Sequence, residues 1–209
     1  MTSARPEPGL DLNAGEPTVP RSAATVVLLR GGSERLEVLM VQRNPAARFM
    51  GGAWVFPGGA VHAQDGAGQA GLRRAAVREL QEEAGVTLPP EAELVAFARW
   101  ITPAQLLTRF DTWFYLAREP ARSEPRVDGS EVVDFLWTTP AEAVAAGRAG
   151  RLSVVFPTIK QLEQLGRFAT AEELLAHARG REVLPVEPRV TGSGETARIV
   201  LPGEPGYES

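Results

Sequence analysis

Cysteine is missing from the chain altogether, which excludes disulfides, thiolate nucleophiles and zinc-thiolate centres. Histidine is scarce, with only His62 and His177. That scarcity argues against a histidine-rich metal centre and leaves hard, oxygen-ligated cations as the metals to consider. Lys160 is the single lysine. No apolar run approaches the roughly 18 residues that span a bilayer, and no Gly-x-y repeat or sustained heptad is present. Positive charge is also short: 22 basic against 26 acidic residues give a net charge of −4 and a pI near 5.4. No global positive field therefore draws a nucleic-acid backbone, and neither a membrane nor a nucleic acid is an expected partner. Residues 1–20 lack the basic start and apolar stretch of a secretory signal, so the cytoplasm is the expected compartment.

What is present is an ordinary globular balance, 44% apolar and 23% charged over 209 residues. Residues 1–21 are rich in Pro, Gly, Glu and Ala without periodicity and read as a mobile tail. The apolar runs at Ala23 to Leu29 and Glu37 to Gln42 read as a hairpin pair. Ala53 to Phe56 reads as a strand stopped by Pro57-Gly58-Gly59. Helical spacing runs from Ala70 to Ala84, with Gly85 as its stop.

Three strands are predicted at Ala92 to Trp100, Phe110 to Ala117 and Val132 to Trp137, then short helices at Pro140 to Ala146, Thr158 to Leu165 and Ala171 to Ala178. A last hairpin is expected at Arg189 to Leu201, turning at Gly192-Ser193-Gly194. With no internal repeat and no strong linker, residues 22–203 read as one α+β domain with a mixed sheet packed by helices.

The chemistry concentrates in Arg78-Glu79-Leu80-Gln81-Glu82-Glu83-Ala84-Gly85-Val86. On a helix, Glu79, Glu82 and Glu83 stand at i, i+3 and i+4, three like charges on one face. Arg78, one turn before Glu82, offsets only part of their repulsion. A divalent cation removes the conflict, because Mg²⁺ and Mn²⁺ prefer carboxylate and carbonyl oxygens. A solvated acidic face is the plain alternative.

Phe56-Pro57-Gly58-Gly59, an acidic residue downstream and the Arg-Glu helix together resemble the Nudix family, whose signature is G-x5-E-x7-R-E-U-x-E-E-x-G-U with U aliphatic. The second half matches at every fixed position. The first half departs: Asp65 stands where glutamate is expected, and twelve residues rather than seven separate it from Arg78, a five-residue insertion. Such an insertion costs little at a loop-to-helix junction.

Arg99-Trp100-Ile101-Thr102-Pro103, Arg109-Phe110-Asp111-Thr112 and the L-x4-P-T segment Leu152 to Thr158 look like the branch of the family that includes coenzyme A and acyl-CoA diphosphatases. Of the element that coenzyme A-specific members carry before Phe-Pro-Gly-Gly, residues 43–52 keep only the arginines and a glycine. Coenzyme A and other nucleoside-diphosphate-linked compounds stay equally open.

The resemblance implies a Nudix-type α/β/α sandwich and metal-dependent hydrolysis of a pyrophosphate in a small nucleotide-type substrate. It implies Glu79, Glu82, Glu83 and the Gly58 carbonyl as ligands of Mg²⁺ or Mn²⁺, with Arg78 orienting the acidic helix. Glu79 is one candidate base and Glu131 a second, although Asp128-Gly129-Ser130-Glu131 also reads as a plain surface turn. Arg43, Arg99 and Arg109 are candidate phosphate clamps, each equally able to pair with a neighbouring carboxylate. Trp100 is the aromatic to test for stacking, against the commoner role of a strand aromatic in the core. His62, in the inserted loop, is left outside the catalytic set. Many relatives of this fold pair, so a homodimer is an open expectation. The altered first half of the motif also motivates a second reading, a Nudix-like nucleotide-binding or regulatory module that does not cleave.

Overall fold

The computed structural model of the chain describes residues 12–13, 15–31, 35–47, 49–120, 123–192 and 198–207. Its centre is β1 (Arg21–Arg30), whose residues from Ala23 to Leu29 are all buried. A strand buried on both faces is a continuous apolar run rather than an alternating one. Beside it run β6 (Phe110–Arg118), parallel to it, and β2 (Glu37–Arg43), antiparallel. The sheet continues through β3 (Trp54–Val55) beyond β2, and through β5 (Val95–Ile101) and β8 (Pro185–Val186) beyond β6. Two further strands, β4 (Gly58–Ala60) and β7 (Val132–Thr138), pair with β1 and β2.

Helices cover both faces. On one, α1 (Gly68–Ala84) buries Ala75, Ala76, Leu80 and Ala84 against Val26, Leu28, Leu39 and Tyr115. On the other, α2 (Pro140–Arg148), α3 (Phe156–Leu165) and α4 (Ala171–Ala178) pack Val144, Leu162 and Leu174 against Val27, Leu29, Val38 and Met40. The mixed sheet between helical layers is the α/β/α sandwich that the resemblance implies. A small antiparallel pair, β9 (Arg189–Thr191) and β10 (Arg198–Val200), closes the chain. Its expected turn lies partly outside the described residues.

Three expectations are revised. The hairpin of the first two strands is only a short ladder, Leu29 with Val38 and Arg30 with Glu37, because β4 pairs with the other end of β1 at Ala23 to Thr25. The strand at Trp54–Val55 does end before Pro57, but Gly58 and Gly59 then open a strand of their own. A Cβ on Gly58 would lie 2.4 Å from the Thr25 hydroxyl, so glycine is what lets β4 close on β1. Arg21 belongs to β1 and not to a tail. Just ahead of it, Leu12 bridges to Leu106, and the Thr18 hydroxyl donates to the Leu107 carbonyl at 3.0 Å. Among the described residues no helix is long and apolar enough to cross a membrane.

Candidate active site

The last three turns of α1 run beneath β4, and glycine makes the approach close. A Cβ on Gly59 would meet the Glu79 carboxyl at 2.5 Å. The helix stops at Gly85, which takes the left-handed conformation at φ 65° and donates its N–H to the Gln81 carbonyl at 3.0 Å. Glu79 and Glu83 point inward and are 7% and 3% exposed, whereas Glu82 faces solvent.

Burial pushes the Glu83 carboxyl up to about 7; Glu79 and Glu131 push the same way, against the Gly58 N–H and Arg43. The Gly58 N–H donates to Glu83 at 2.9 Å. Burial also raises Glu79, with Arg78 opposing. Arg78 holds the acidic face together: its Nη1 donates to Glu79 and to Glu82, both at 2.8 Å. Its Nε and Nη2 donate to the two oxygens of Asp65 at 3.1 and 2.9 Å.

Asp65 itself is 4% exposed. It ends a 3-10 turn at Ala63–Asp65, where its carboxylate also accepts the His62 N–H at 2.8 Å. The residue that departs from the family signature thus occupies the anchoring position for the motif arginine. Of the residues between them, 68–77 form the start of α1, and Arg74 donates to the Asp65 carbonyl at 2.6 Å.

One cavity of about 360 Å³ gathers Arg43, Gly58, Gly59, Arg78, Glu79, Glu82, Glu83 and Glu131. Glu131 is brought there by a turn that Asp128 organises, its carboxylate accepting the N–H groups of Ser130, Glu131 and Val132 at 2.8 to 2.9 Å. Arg43 reaches in from the end of β2, and its buried Nε has no hydrogen-bond partner among the described residues.

The other sequence candidates lie elsewhere. Arg99 is taken up by Asp111 through two hydrogen bonds of 2.8 and 2.7 Å. Arg109 is 8% exposed and donates to the Thr18 and Thr102 carbonyls and to Glu187. Trp100 is 8% exposed and packs edge-on against Phe156 at 6.4 Å between ring centroids. For both arginines the alternative of a carboxylate partner holds, and Trp100 is a core residue. Arg21 and Phe49 line the cavity unannounced, together with His62 of the inserted loop and Phe110 and Thr112 of the Arg109 to Thr112 segment. For His62 the position three residues before Asp65 was a usable signal. Arg21, Phe110 and Thr112 depend on the pairing of β1 with β6, and Phe49 lies in a turn after β2.

The donor set is all oxygen, crowded and partly desolvated, which suits a hard divalent cation. Among the described residues no three acidic or imidazole side chains converge on one point; Arg78 engages Glu79 and Glu82, and the Gly58 N–H engages Glu83. By its donor chemistry the set fits such an ion.

A mixed sheet between helical layers, with an arginine-anchored acidic helix facing a double glycine, defines a Nudix-fold protein. The NUDIX domain profile matches residues 19–157, and the chain belongs to that family. It is 31% identical over 183 residues to nudix hydrolase 7 of Caenorhabditis elegans, covering 70% of this chain and 61% of that one. It is 30% identical over 118 residues to human acyl-coenzyme A diphosphatase NUDT19, covering 53% of this chain and 31% of that protein. In each case the match leaves more than a third of the relative uncovered. Among solved structures, a NUDIX hydrolase from Alicyclobacillus acidocaldarius superposes with a TM-score of 0.69 at 27% identity, over 76% of this chain and 96% of that one. The NUDIX domain of Shewanella oneidensis NrtR, at 21% identity and a TM-score of 0.54, shares the fold over 70% of this chain and 86% of its own.

Proposed function

We propose that residues 22–203 form a metal-dependent pyrophosphohydrolase that cleaves the diphosphate of a nucleoside-diphosphate-linked substrate, with coenzyme A or an acyl-CoA as leading candidates. The observation that carries this reading is the lining of one cavity by four carboxylates and Arg43, whose buried Nε has no partner among the described residues. A cation left with a free donor among acids suits a phosphate oxygen.

Glu79, Glu82, Glu83 and the Gly58 carbonyl are the proposed ligands of Mg²⁺ or Mn²⁺. Bound there, such an ion neutralises phosphate charge and lowers the pKa of a water. Arg78 fixes the rotamers of Glu79 and Glu82, and Arg43 orients the diphosphate. Glu79 or Glu131 accepts the proton as the water oxygen attacks phosphorus. A P–O bond forms to that oxygen, the bridging P–O bond breaks, and two phosphate monoesters leave. Arg99, Trp100 and Arg109 act from outside the cavity, supporting the strands that form its walls. The proposed setting is cytoplasmic, and the proposed assembly a homodimer.

Two features favour the coenzyme A branch: the similarity to NUDT19 and the Arg99 to Thr112 segment. The test is hydrolysis of coenzyme A with Mg²⁺ or Mn²⁺ and with EDTA, read by product mass. Metal-dependent release of 3′,5′-ADP and phosphopantetheine is expected. Tight nucleotide binding by calorimetry without any product would favour the non-cleaving module.

A further inference from the structure

Phe49, Phe110 and Thr112 line the acidic cavity on one side and a second chamber of about 200 Å³ on the other. The walls of that chamber come from both ends of the fold: Phe56, Trp100, Phe114, Phe156 and Ile199 are among them. No charged or amide side chain lines it among the described residues; its only polar side chains besides the Trp100 indole are the hydroxyls of Thr25, Thr102, Thr112 and Thr158. One of these is already engaged, since the Thr102 hydroxyl accepts the Phe110 N–H at 3.0 Å. Phe49 and Phe110 stand 6.1 Å apart between ring centroids where the two spaces meet. Next to Phe49, Met50 also lines the chamber and has φ 51°, a left-handed conformation that no other non-glycine residue adopts among those described. Strain of this kind gathers where a chain holds a ligand, and an unbranched thioether adapts readily to an irregular apolar guest.

Chemistry selects the guest. A ribose or a base entering this chamber would leave water with too few hydrogen-bonding partners to replace it. An aliphatic group loses nothing and removes apolar surface from water. A cavity of about 150 Å³ lined by Leu, Ile and Phe takes benzene, so 200 Å³ accepts a compact group somewhat larger.

We infer that the chamber is a subsite for the group bonded directly to the non-nucleoside phosphate, and that this group is a compact aliphatic rather than a second sugar. The inference rests on the pyrophosphohydrolase reading for its anchor, because the chamber shares Phe49, Phe110 and Thr112 with the cavity of the proposed diphosphate.

Dephospho-coenzyme A and ADP-ribose test it, since they share an ADP half and differ in what the second phosphate carries. With Mg²⁺, kcat/KM for dephospho-coenzyme A is expected to exceed that for ADP-ribose at least tenfold, chiefly through KM. Ile101→Trp, which fills the chamber from a half-buried strand position, is expected to collapse that ratio toward one. Equal efficiencies in the wild type, or a ratio that survives the filled chamber in a folded variant, would overturn the inference. If neither compound is cleaved, the hydrolase reading is decided by the other diphosphates, and calorimetry in EDTA still decides the subsite. Tighter binding of dephospho-coenzyme A, lost in Ile101→Trp, supports it; equal dissociation constants contradict it.

Discussion

Asp65 grips Arg78 with both carboxylate oxygens, and Arg78 in turn holds Glu79 and Glu82. Both partners are largely shielded, with side-chain exposures of 5% and 15%. Removing one member of a shielded pair leaves the other charge uncompensated. Asp65→Ala is therefore expected to cost about 3 kcal/mol of stability, at the lower end for such pairs, and to lower kcat with it. Denaturant melts at neutral pH check the first, and steady-state kinetics the second. Unchanged stability would show that the shorter acid is not the anchor.

Glu82→Gln and Glu83→Gln separate chemistry from folding. Glu82 is exposed and Glu83 keeps an oxygen for the Gly58 N–H, so both variants should fold. Each is expected to lose about 100-fold or more in kcat/KM, the scale on which metal and proton-transfer groups contribute. Wild-type rates in both would remove α1 from the active site.

Arg43 predicts a different signature. Arg43→Ala is expected to raise KM about tenfold with a smaller change in kcat, as for a group that binds ground state and transition state alike. Arg43→Lys should recover part of the loss, because it keeps the charge but not the fork. A pure kcat effect would count against a clamp.

Asp128 supplies a pH test. Burial pushes its carboxyl upward, but the Ser130 hydroxyl and the N–H groups of Glu131, Val132 and Ser130 outweigh it and hold the group at about 2. A carboxyl lowered on folding stabilises the protein above its unfolded pKa of about 4, and that contribution fades as pH falls through about 2. The stability gap between wild type and Asp128→Asn should thus be constant above about pH 4 and shrink toward pH 2. Because the same turn presents Glu131, the variant should also lose about tenfold in kcat at neutral pH if Glu131 is the base. A gap that widens in acid would contradict the assignment.

The legible parts of this molecule are those written locally. The spacing of Ala75, Ala76, Leu80 and Ala84 and the stop at Gly85 define α1 from sequence, and α4 spans the predicted Ala171 to Ala178. The glycines of β4 read as a strand stop because their purpose, closeness to Thr25 and Glu79, is a relation between distant segments. Arg99 and Arg109 advertise phosphate chemistry by residue type alone. Their partners, Asp111, Thr18 and Glu187, are fixed by strand pairing and by segments up to 91 positions away. Glu131 and Arg43 stand out as candidates by residue type, but their meeting with the acidic helix depends on the β2 to β7 ladder.

The central claim is that this acidic cavity hydrolyses a diphosphate. Its most direct test is a panel of coenzyme A, acyl-CoA, NADH, ADP-ribose, dinucleoside polyphosphates and nucleoside triphosphates, incubated in ¹⁸O-water with Mg²⁺ or Mn²⁺ and read by mass. The account predicts cleavage within the diphosphate of at least one compound, one ¹⁸O in a phosphate monoester product, none of this in EDTA, and an initial rate lower by about 100-fold or more in Glu82→Gln. Cleavage elsewhere in the molecule, or no product from any compound with metal present, would contradict it.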